Sequence, residues 1–529
     1  MSPANTSRGL SLAAALLFFA VLVSLDGAAW AAVSPAISSA QIDQTVSRAM
    51  KAFSVPGLAV GIVKDGKLVF AKGYGVRELG QPAKVDPDTL FAIGSNTKAF
   101  TTAALAMLVD EGKLGWDDRV SDYLPDFRLY DPYVTREFTV RDLVTHRSGL
   151  GLGAGDLLFV PSTDFSREQI IHALRYLKPA SSFRDRFAYD NLLYVAAGQI
   201  ILAVTNMSWE DFVTRRILHP LHMEPCAVNV QSETDRSNEA SRHAKVDGRV
   251  TVVPAEDFPV VGPAGTIQCN ISGLAKWLET QLAGGKSPSG EQLFSTVQRD
   301  EMWSPQTILP NSSPLSSLTR THFTAYGLGW RLEDFHGYKR VQHSGGVLGT
   351  VTYVNMLPEL NLGVIVLTNQ DDMDPMNAIA LRILEAYVGA PPRDWVALLQ
   401  TISERKDQEG REAENAALAS SAPGASTMPP QQYAGVYRDA WRGDAGIAIS
   451  DEKLHLKFSH TNRLAGELIA SGPDRFIVRW DDRSLHADAY VLFSRGFDGK
   501  VAGFTMRAVS PLTDFSYDFQ DLDFRRQPD

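Results

Sequence analysis

Residues 91–108 read FAIGSNTKAFTTAALAML. The second half of this stretch is rich in Ala and Leu and contains no Pro or Gly, so it predicts a buried helix. Ser95 and Lys98 are three residues apart, which places them on one helix face about a turn apart. A serine hydroxyl is a weak nucleophile, and a lysine whose pKa is lowered by burial can serve as its base. The alternative is a helix-capping serine followed by a surface lysine, because this short pattern also occurs by chance.

The composition fits a large globular protein with room for more than one domain. The chain has 529 residues, of which 44% are hydrophobic and 21% are charged. The formal net charge is -10, and the sequence contains no long basic run. Because nucleic acids bind positively charged surfaces, nucleic acid is not expected as a partner.

The N-terminus has the pattern of a secretory signal peptide. Arg8 precedes an apolar run over residues 10–25, and the sequence AWA at 29–31 matches an A-x-A cleavage site. The apolar run is short for a bilayer span, so a retained membrane anchor is the lesser alternative. We expect residues 1–31 to be removed by cleavage near Ala31. The mature chain would then be periplasmic or secreted by a bacterium, without stable membrane insertion.

The two cysteines, Cys226 and Cys269, leave two alternatives open. An oxidising compartment permits a disulfide between them, but two buried free thiols fit the sequence equally well. Neither metal-ligand spacing nor an H-E-x-x-H sequence occurs. No metal and no other cofactor is therefore expected.

Hydrophobic periodicity predicts further helices and strands on both sides of the opening stretch. We expect helices over residues 42–53, 192–205, 209–217, 272–282 and 378–388, and strands over 58–63, 68–74, 351–356 and 362–369. The sequence KDGK at 64–67 predicts a hairpin turn between the first two strands.

The sequence FAYDN at 187–191 precedes one of the predicted helices. In an extended segment alternate side chains point the same way, so Tyr189 and Asn191 can face one cleft while Asp190 turns aside. A phenol can shuttle a proton if neighbouring cations lower its pKa, and an amide can hold a substrate carbonyl. The alternative is a helix start at which Asp190 or Asn191 is the cap and Tyr189 only packs.

The sequence HSGG at 343–346 can form an edge strand that lines a site. Glycine allows a substrate backbone to approach closely, and the Gly346 N–H can serve as an oxyanion donor. The alternative is a turn between strands with His343 on the surface. His146 also invites a catalytic role, but the favoured interpretation is a short helix whose end packs near the active-site wall.

The composition changes towards the C-terminus. Residues 404–430 are first charged and then rich in Ala, Ser and Pro, which indicates a helix tail followed by a linker. Beyond residue 433 short strands alternate with turns, and we expect strands over residues 446–449, 453–458, 475–480, 489–493 and 501–506. The predicted domains are residues 32–400 and 431–529, joined by a linker over 401–430. The second domain is expected to be a small antiparallel β-sandwich or barrel.

Several motifs together resemble the penicillin-recognising serine hydrolases. In chain order they are Ser95-x-x-Lys98, Tyr189-x-Asn191 and His343-Ser344-Gly345. The sequences LVTHRSGL at 143–150 and PLHM at 220–223 are similar to two further segments of that family. The resemblance covers about residues 40–390. Within that family the chain looks most like the class C β-lactamase-like group, with its D-alanyl-D-alanine carboxypeptidases, D-aminopeptidases and esterases.

The resemblance implies an α+β fold, with a β-lactamase-like antiparallel sheet flanked by helices and a mostly helical region. A small all-β domain follows, and residues 433–524 look similar to the lipocalin-like C-terminal domain of some relatives. In such relatives the appended domain can mediate homo-oligomers or close over the cleft. The plainer alternative is an accessory domain with neither role.

The resemblance also implies the roles of the reacting groups. Ser95 is expected to be the acylated nucleophile, Lys98 its base and Tyr189 the proton shuttle. The oxyanion hole is expected to consist of the backbone N–H groups of Ser95 and Gly346.

The resemblance further implies which residues bind substrate, namely Asn191, His343 and Gly345. Two positions depart from the usual pattern. Asp190 stands where relatives have a small residue and is expected to add a negative charge near the cleft. His343 stands where many relatives have a lysine, so the charge at that corner is expected to depend on pH.

The function expected from the resemblance is that of an exported serine hydrolase that cleaves amide bonds of small or D-residue-containing peptides through an acyl-enzyme. Linearised cyclic peptides of the microcystin type fit this class. The partner is expected to be a small peptide or acyl substrate. Three alternatives stay open, because the motifs set the acylation chemistry and not the acyl group: a short-chain acyl esterase, a class C-like β-lactamase, and a covalent ligand-binding or sensor protein without turnover.

Overall fold

A computed structural model describes residues 36–229, 236–256, 258–311, 313–419 and 428–528. The predicted signal peptide over residues 1–31 lies outside the described residues. The same is true of residues 420–427 of the predicted linker. The described part combines a helix-flanked sheet with a closed barrel, as the expected α+β class with a small all-β domain requires.

The central sheet is antiparallel and has the strand order β2-β1-β12-β11-β10-β9-β8-β7. Its strands are β1 (Gly57–Lys64), β2 (Lys67–Gly75), β7 (Thr307–Leu309), β8 (Thr324–Tyr326), β9 (Arg331–Phe335), β10 (Tyr338–Val347), β11 (Thr350–Leu357) and β12 (Leu362–Thr368), and two short ladders pair β3 (Phe91–Ala92) with β6 (Gln268–Cys269) and β4 (His243–Val246) with β5 (Arg249–Val252). The predicted hairpin between β1 and β2 and the predicted strands β11 and β12 are confirmed. Strands β1, β11 and β12 are buried on both faces because helices cover the sheet on each side.

Helices cover the sheet and build a separate helical region beside it. They are α1 (Ser39–Phe53), α2 (Thr97–Asp110), α3 (Val120–Tyr123), α4 (Pro132–Glu137), α5 (Val140–Leu143), α6 (Arg167–Ala173), α7 (Leu192–Thr205), α8 (Trp209–Val213), α9 (Gly262–Gly265), α10 (Ile271–Leu282), α11 (Thr296–Met302), α12 (Ser316–Thr319), α13 (Met373–Tyr387) and α14 (Trp395–Ala419). The bounds of α7 match the prediction. Helix α13 begins five residues before the predicted residue 378, because Asp372 caps it by accepting a hydrogen bond from the Asp374 N–H.

Helix α2 is buried at the centre of residues 37–419, which are called the hydrolase part below, and the opening stretch predicted such a buried helix. Every residue from Thr97 to Leu108 is buried. The ring of Phe100 stacks on Trp277 of α10, with 4.1 Å between the ring centroids. Burying an apolar side chain of this size stabilises the fold by about 1.5–3 kcal/mol. The start of α2 is therefore held rigidly, which a positioned nucleophile requires.

A disulfide joins Cys226 to Cys269 and decides between the two alternatives that the sequence left open. Cys269 belongs to β6, which pairs with β3 immediately before the Ser95 turn. Gly273 leaves room for the two sulfur atoms, since a Cβ there would lie 2.3 Å from the Cys226 Sγ. The disulfide therefore braces the strand that leads into the nucleophile turn.

The C-terminal domain is a closed antiparallel barrel, so the barrel was the right one of the two predicted all-β forms. Its strands are β13 (Gly435–Asp439), β14 (Gly443–Ser450), β15 (Lys453–Phe458), β16 (Ala465–Gly472), β17 (Arg475–Trp480), β18 (Ala489–Arg495), β19 (Val501–Ala508) and β20 (Asp523–Arg526). The sequence prediction missed β13, β16 and β20. Strand β16 contains two glycines and two alanines, which have low β-propensity, and only its pairing with β15 and β17 makes it a strand.

Residues 404–430 are predicted to be a helix tail followed by a linker, and the structure has a long helix tail there. Helix α14 continues without a break to Ala419. Its first turns are held by Trp395, Val396 and Leu399, which are buried in the core. The barrel and the hydrolase part together form one compact unit, Ile37–Asp529.

Membrane spans and metal sites were sought in the same described ranges. Within those ranges, no single helix has the length and apolar composition to cross a membrane. Helix α7 and the helical segment Trp209–Leu218 meet both criteria only when taken together, and they are bent by 76° relative to each other. No group of three or more His, Cys, Asp or Glu side chains in those ranges could hold a metal ion.

Candidate active site

Ser95 lies in a 3-10 turn, Gly94–Asn96, at the start of α2. Within residues 91–108, all of which the structure describes, Ser95 alone is not buried. Gly94 has a left-handed φ of +52°, which favours glycine. The positive end of the α2 dipole is directed towards the turn and favours negative charge at the serine oxygen.

Lys98 is completely buried and is the second residue of α2, about one turn beyond Ser95. Its Nζ is 3.1 Å from Ser95 Oγ, 2.7 Å from Asn191 Oδ1 and 3.0 Å from the carbonyl oxygen of Ala264. Burial lowers the Lys98 pKa to about 7, although the nearby Asp156 and Asp190 oppose the shift. A neutral amine has two N–H groups and one lone pair. The two oxygen acceptors use both N–H groups, so the lone pair faces the Ser95 hydroxyl.

Asn191 has both ends of its amide engaged inside the protein. Oδ1 accepts from Lys98, and Nδ2 donates to Asp156 Oδ2 at 2.8 Å. The amide orientation follows from these two partners. Asn191 borders the cleft, but this geometry makes it a support for Lys98. One N–H and one oxygen lone pair of the amide are not used by these two bonds, so the expected contact with a substrate amide stays a prediction.

Tyr189 faces the cleft, as expected, and its hydroxyl hydrogen-bonds to Ser95. The condition of a pKa lowered by neighbouring cations is not met. Burial, together with Tyr326, raises the Tyr189 pKa well above its usual value of 10.0, so the residue stays a neutral phenol. Its ring is 4.7 Å from the Lys98 Nζ. Tyr189 can therefore donate a proton but does not serve as a phenolate base.

Asp190 caps α7, as the alternative interpretation of this segment held, but Tyr189 lines the cleft and does not merely pack. Its Oδ1 accepts from the N–H groups of Leu192 at 2.9 Å and Leu193 at 3.3 Å. Burial raises the Asp190 pKa to about 7, so the charge expected near the cleft is only partly present at neutral pH.

His146 packs against the wall of the site, as the favoured interpretation held. Its ring centroid is 4.2 Å from that of Tyr189. Its Nδ1 accepts from the Asp190 N–H at 3.1 Å, so a neutral ring carries its proton on Nε2. Burial, Lys98 and His343 lower the His146 pKa well below 6.5. His146 therefore orients Tyr189 and Asp190 as a neutral ring.

His343 lies on β10 and lines the cleft; it is not the surface residue of the alternative interpretation. Nδ1 donates to the Ser344 carbonyl at 2.6 Å, so Nε2 accepts from the Tyr326 hydroxyl at 2.9 Å. Burial, followed by the charge of Lys98, lowers the His343 pKa to about 3. The His343 ring is therefore neutral except in strong acid. The prediction that its charge changes with pH near neutrality is wrong.

The two glycines of the HSGG sequence have different roles. A Cβ on Gly94 would lie 2.6 Å from the Gly346 nitrogen, so the Gly346 N–H lies beside the Ser95 turn. That proximity is what the expected oxyanion hole requires. Gly345 is buried, and a Cβ there would lie 1.8 Å from the Ile93 carbonyl oxygen. Gly345 thus allows β10 to approach the nucleophile turn. It was expected to contact substrate, but it is buried and does not line the cleft.

The cleft is a cavity of about 1590 Å³, and both domains line it. Ser95, Tyr189 and His343 form part of its wall, while residues 514–517 of the barrel domain form another part. Phe515 packs edge-on against Tyr189, with 5.8 Å between the ring centroids. Arg331 also lines the cavity, and no ion pair joins it to another side chain within the described ranges. Its guanidinium is therefore available to an anionic group in the cleft.

Several residues of the site were missed by sequence reasoning. They are Asp156, Ala264, Tyr326, Arg331 and Ser516. Ala264 acts through its backbone carbonyl, which no sequence signal distinguishes. Asp156 lies in the segment GLGAGD at 151–156, where a buried acid has no local signature. The arginine on β9 could have been found from its position, since Arg331 pairs with Gln342 directly before His343.

Two family models match different parts of the chain. A family model described as Beta-lactamase matches residues 42–388, and one described as a domain of unknown function (DUF3471) matches residues 419–526. The second match coincides with the barrel.

Two similar curated proteins are named as hydrolases. Unguisins hydrolase ungD' of Aspergillus campestris is 29% identical over 338 residues, which are 62% of this chain and 60% of that relative. Unguisins hydrolase ungD of Aspergillus violaceofuscus is 27% identical over 457 residues, which are 78% of this chain and 77% of that relative. The chain thus spans less than two thirds of the first relative's length.

Among solved structures, the octameric penicillin-binding protein homologue from Pyrococcus abyssi superposes with a TM-score of 0.60 at 21% identity. The match covers 92% of this chain and 100% of that chain. At this level of identity the likeness shows a shared fold.

Proposed function

Because this chain belongs to the beta-lactamase family and is a serine hydrolase, we propose that it cleaves amide bonds of small peptides through an acyl-enzyme on Ser95. The observation that carries the proposal is the hydrogen bonding of Lys98. Two fixed acceptors hold its N–H groups, and a pKa of about 7 leaves the lone pair free to take the Ser95 proton.

In acylation, Ser95 Oγ forms a bond to the substrate carbonyl carbon while its proton passes to Lys98. The N–H groups of Ser95 and Gly346 receive the developing oxyanion. The C–N bond then breaks, and the leaving amine needs a proton. Tyr189, whose hydroxyl is already hydrogen-bonded to Ser95, donates that proton and is reprotonated at the expense of the Lys98 ammonium.

Deacylation repeats these steps with water in place of serine. Water adds to the ester carbonyl, its proton passes to Lys98, and the bond between the carbonyl carbon and Ser95 Oγ breaks. The Lys98 ammonium gives that proton to Ser95 Oγ, which restores the resting enzyme. The products of the two stages are an amine and a carboxylic acid. No oxidant or reductant is required.

Two features of the cleft favour a peptide over a small acyl ester. The cavity of about 1590 Å³ exceeds the roughly 300–1,000 Å³ of typical small-ligand pockets. The Arg331 guanidinium can pair with the C-terminal carboxylate of a peptide, whereas a simple ester has no carboxylate. Peptides with D-residues and linearised cyclic peptides, including the microcystin type, belong to the same proposal through the family resemblance.

The test is a product analysis by mass spectrometry on one mixed panel. The panel holds short peptides with L- or D-residues at each end, the same peptides with an amidated C-terminus, a linearised cyclic peptide, a short acyl ester and a cephalosporin. Ser95→Ala is the matched control. We expect peptide cleavage that is lost in Ser95→Ala and weakened by C-terminal amidation. Turnover of the ester or the cephalosporin alone would replace the peptidase proposal with the corresponding alternative.

Export is a further part of the proposal. The disulfide between Cys226 and Cys269 supports it, because disulfides persist mainly in oxidising compartments. N-terminal sequencing of protein recovered from the periplasm or medium should show a chain starting near Ala32. A chain retained in the cytoplasm with residue 1 intact would contradict this part.

A further inference from the structure

A segment of the barrel domain enters the hydrolase part next to the catalytic lysine. This segment, residues 510–521, connects β19 to β20. Its Asp518 accepts hydrogen bonds from two backbone N–H groups of the hydrolase part, those of Gly155 at 2.6 Å and Leu157 at 3.1 Å. The two bonds flank Asp156. The barrel thus holds the backbone on both sides of a residue that belongs to the active site.

Ser516, on the same segment, binds Asp156 itself. Ser516 Oγ donates to Asp156 Oδ2 at 2.9 Å, and this oxygen also accepts from Asn191 Nδ2 at 2.8 Å. The other end of the Asn191 amide accepts from Lys98 Nζ at 2.7 Å. A continuous chain of hydrogen bonds therefore runs from the barrel domain, through Ser516, Asp156 and Asn191, to the amine beside Ser95.

Burial makes this chain energetically significant. Asp156 and Asp518 are completely buried and Ser516 is 8% exposed. Replacement partners from solvent are therefore scarce, and a buried polar group that loses its partner is costly. Asp156 Oδ1 has no partner in the described part of the chain, so Oδ2 alone fixes the carboxyl group. Among the described residues, loss of the Ser516 bond leaves Asn191 as the only side-chain partner of Asp156.

We propose that Ser516 and Asp518 of the barrel domain are positioning residues for Lys98, acting through Asp156 and Asn191. This inference rests on the proposed role of Lys98 as the base for Ser95. Neither barrel residue touches the reacting atoms. Their effect is on the position and direction of the Lys98 lone pair, and a displacement of a reacting group by about 1 Å can cost about 100-fold in rate.

The test measures Ser95 acylation in the full-length mature chain. A short chromogenic acyl ester is mixed rapidly with Ser516→Ala, Asp518→Asn, Asp156→Ala and Asp156→Asn. The burst amplitude counts the sites that can be acylated, and the burst rate gives the acylation rate constant per site. Thr513→Ala is the matched control, because it removes a hydroxyl from the same segment whose hydrogen bond goes to His486 within the barrel.

We expect Ser516→Ala and Asp156→Ala to lower the rate constant per site by about tenfold or more, with Asp518→Asn between them and the wild type. Asp156→Asn should stay within about threefold, because an amide oxygen can accept the same two hydrogen bonds. Thr513→Ala should acylate like the wild type. A merely structural role for the segment would lower the burst amplitude and the melting temperature and leave the rate constant per site unchanged.

A wild-type rate constant per site in Ser516→Ala would overturn the inference, whatever the result for Asp156→Ala. A wild-type chain with neither a burst nor steady-state turnover that depends on Ser95 would instead contradict the proposed function. The two failures are therefore distinguishable in one experiment.

Discussion

Lys98 and His343 are two buried bases on opposite sides of one cleft, and the protein treats them differently. Burial lowers the pKa of both. Lys98 also interacts with the carboxyl groups of Asp156 and Asp190, which raise its pKa to about 7 from the lower value that burial alone would give. His343 interacts with the cations Lys98 and Arg331, and its pKa falls to about 3.

Both pKa values fall by a similar amount, so the gap between about 7 and about 3 follows from the ordinary pKa values of the two groups, 10.5 for the amine and 6.5 for the imidazole. With a pKa of about 7, Lys98 stays close to half-protonated at neutral pH, which suits proton transfer in both directions. With a pKa of about 3, His343 stays neutral and offers a fixed hydrogen-bond pattern. We infer that Lys98 transfers protons, while His343 shapes the cleft and binds substrate.

Replacement of the two bases should separate their roles and gives the largest expected effect. Lys98→Met removes the proton acceptor and should lower kcat/KM by about 10³-fold. His343→Gln removes one hydrogen bond to Tyr326 and should cost about fivefold, mostly in KM. Steady-state kinetics on the best substrate of the panel measures both.

Equal losses of activity in the two variants would contradict these roles. If His343→Gln lost as much activity as Lys98→Met, His343 would be the base, and the contrast between the two sides would fail. Lys98→Arg is the control for charge and shape. It keeps a cation in the pocket but cannot lose its proton near neutral pH, so it should be about as inactive as Lys98→Met.

The local parts of the fold and the site could be predicted from the sequence. Helix α2 and the face shared by Ser95 and Lys98 follow from composition and from a three-residue spacing. The Tyr189 and His343 segments followed from family motifs. These predictions succeeded because each depends on a few neighbouring residues whose side chains point in directions set by regular secondary structure.

What failed depends on contacts between distant residues. Asp156 and Ser516 are 360 positions apart and meet only because the barrel packs on the hydrolase part. Neighbouring cations were the condition for a lowered Tyr189 pKa, yet complete burial raises that pKa. Strand β16 has little intrinsic strand preference and exists through its neighbours. Burial and pairing across the fold leave no local pattern in a sequence.

The pH dependence gives the smaller and sharper test of the Lys98 side. Acylation needs neutral Lys98, so kcat/KM should rise with pH through about 7 and then level off. Asp190 also titrates at about 7 and its charge raises the Lys98 pKa, so the wild-type acid limb reports both groups together.

Asp190→Asn separates the two titrations. The amide oxygen can still accept the N–H groups of Leu192 and Leu193, so the helix cap is kept while the charge is lost. Without that charge the Lys98 pKa should fall, and the acid limb of kcat/KM should move to lower pH by a fraction of a unit. At pH 6 this makes about twofold more of the plateau activity available than in the wild type. His343→Gln, whose ring is neutral throughout this range, should leave the limb in place. A limb that moved with His343→Gln and stayed fixed with Asp190→Asn would place the titrating base on the other side of the cleft.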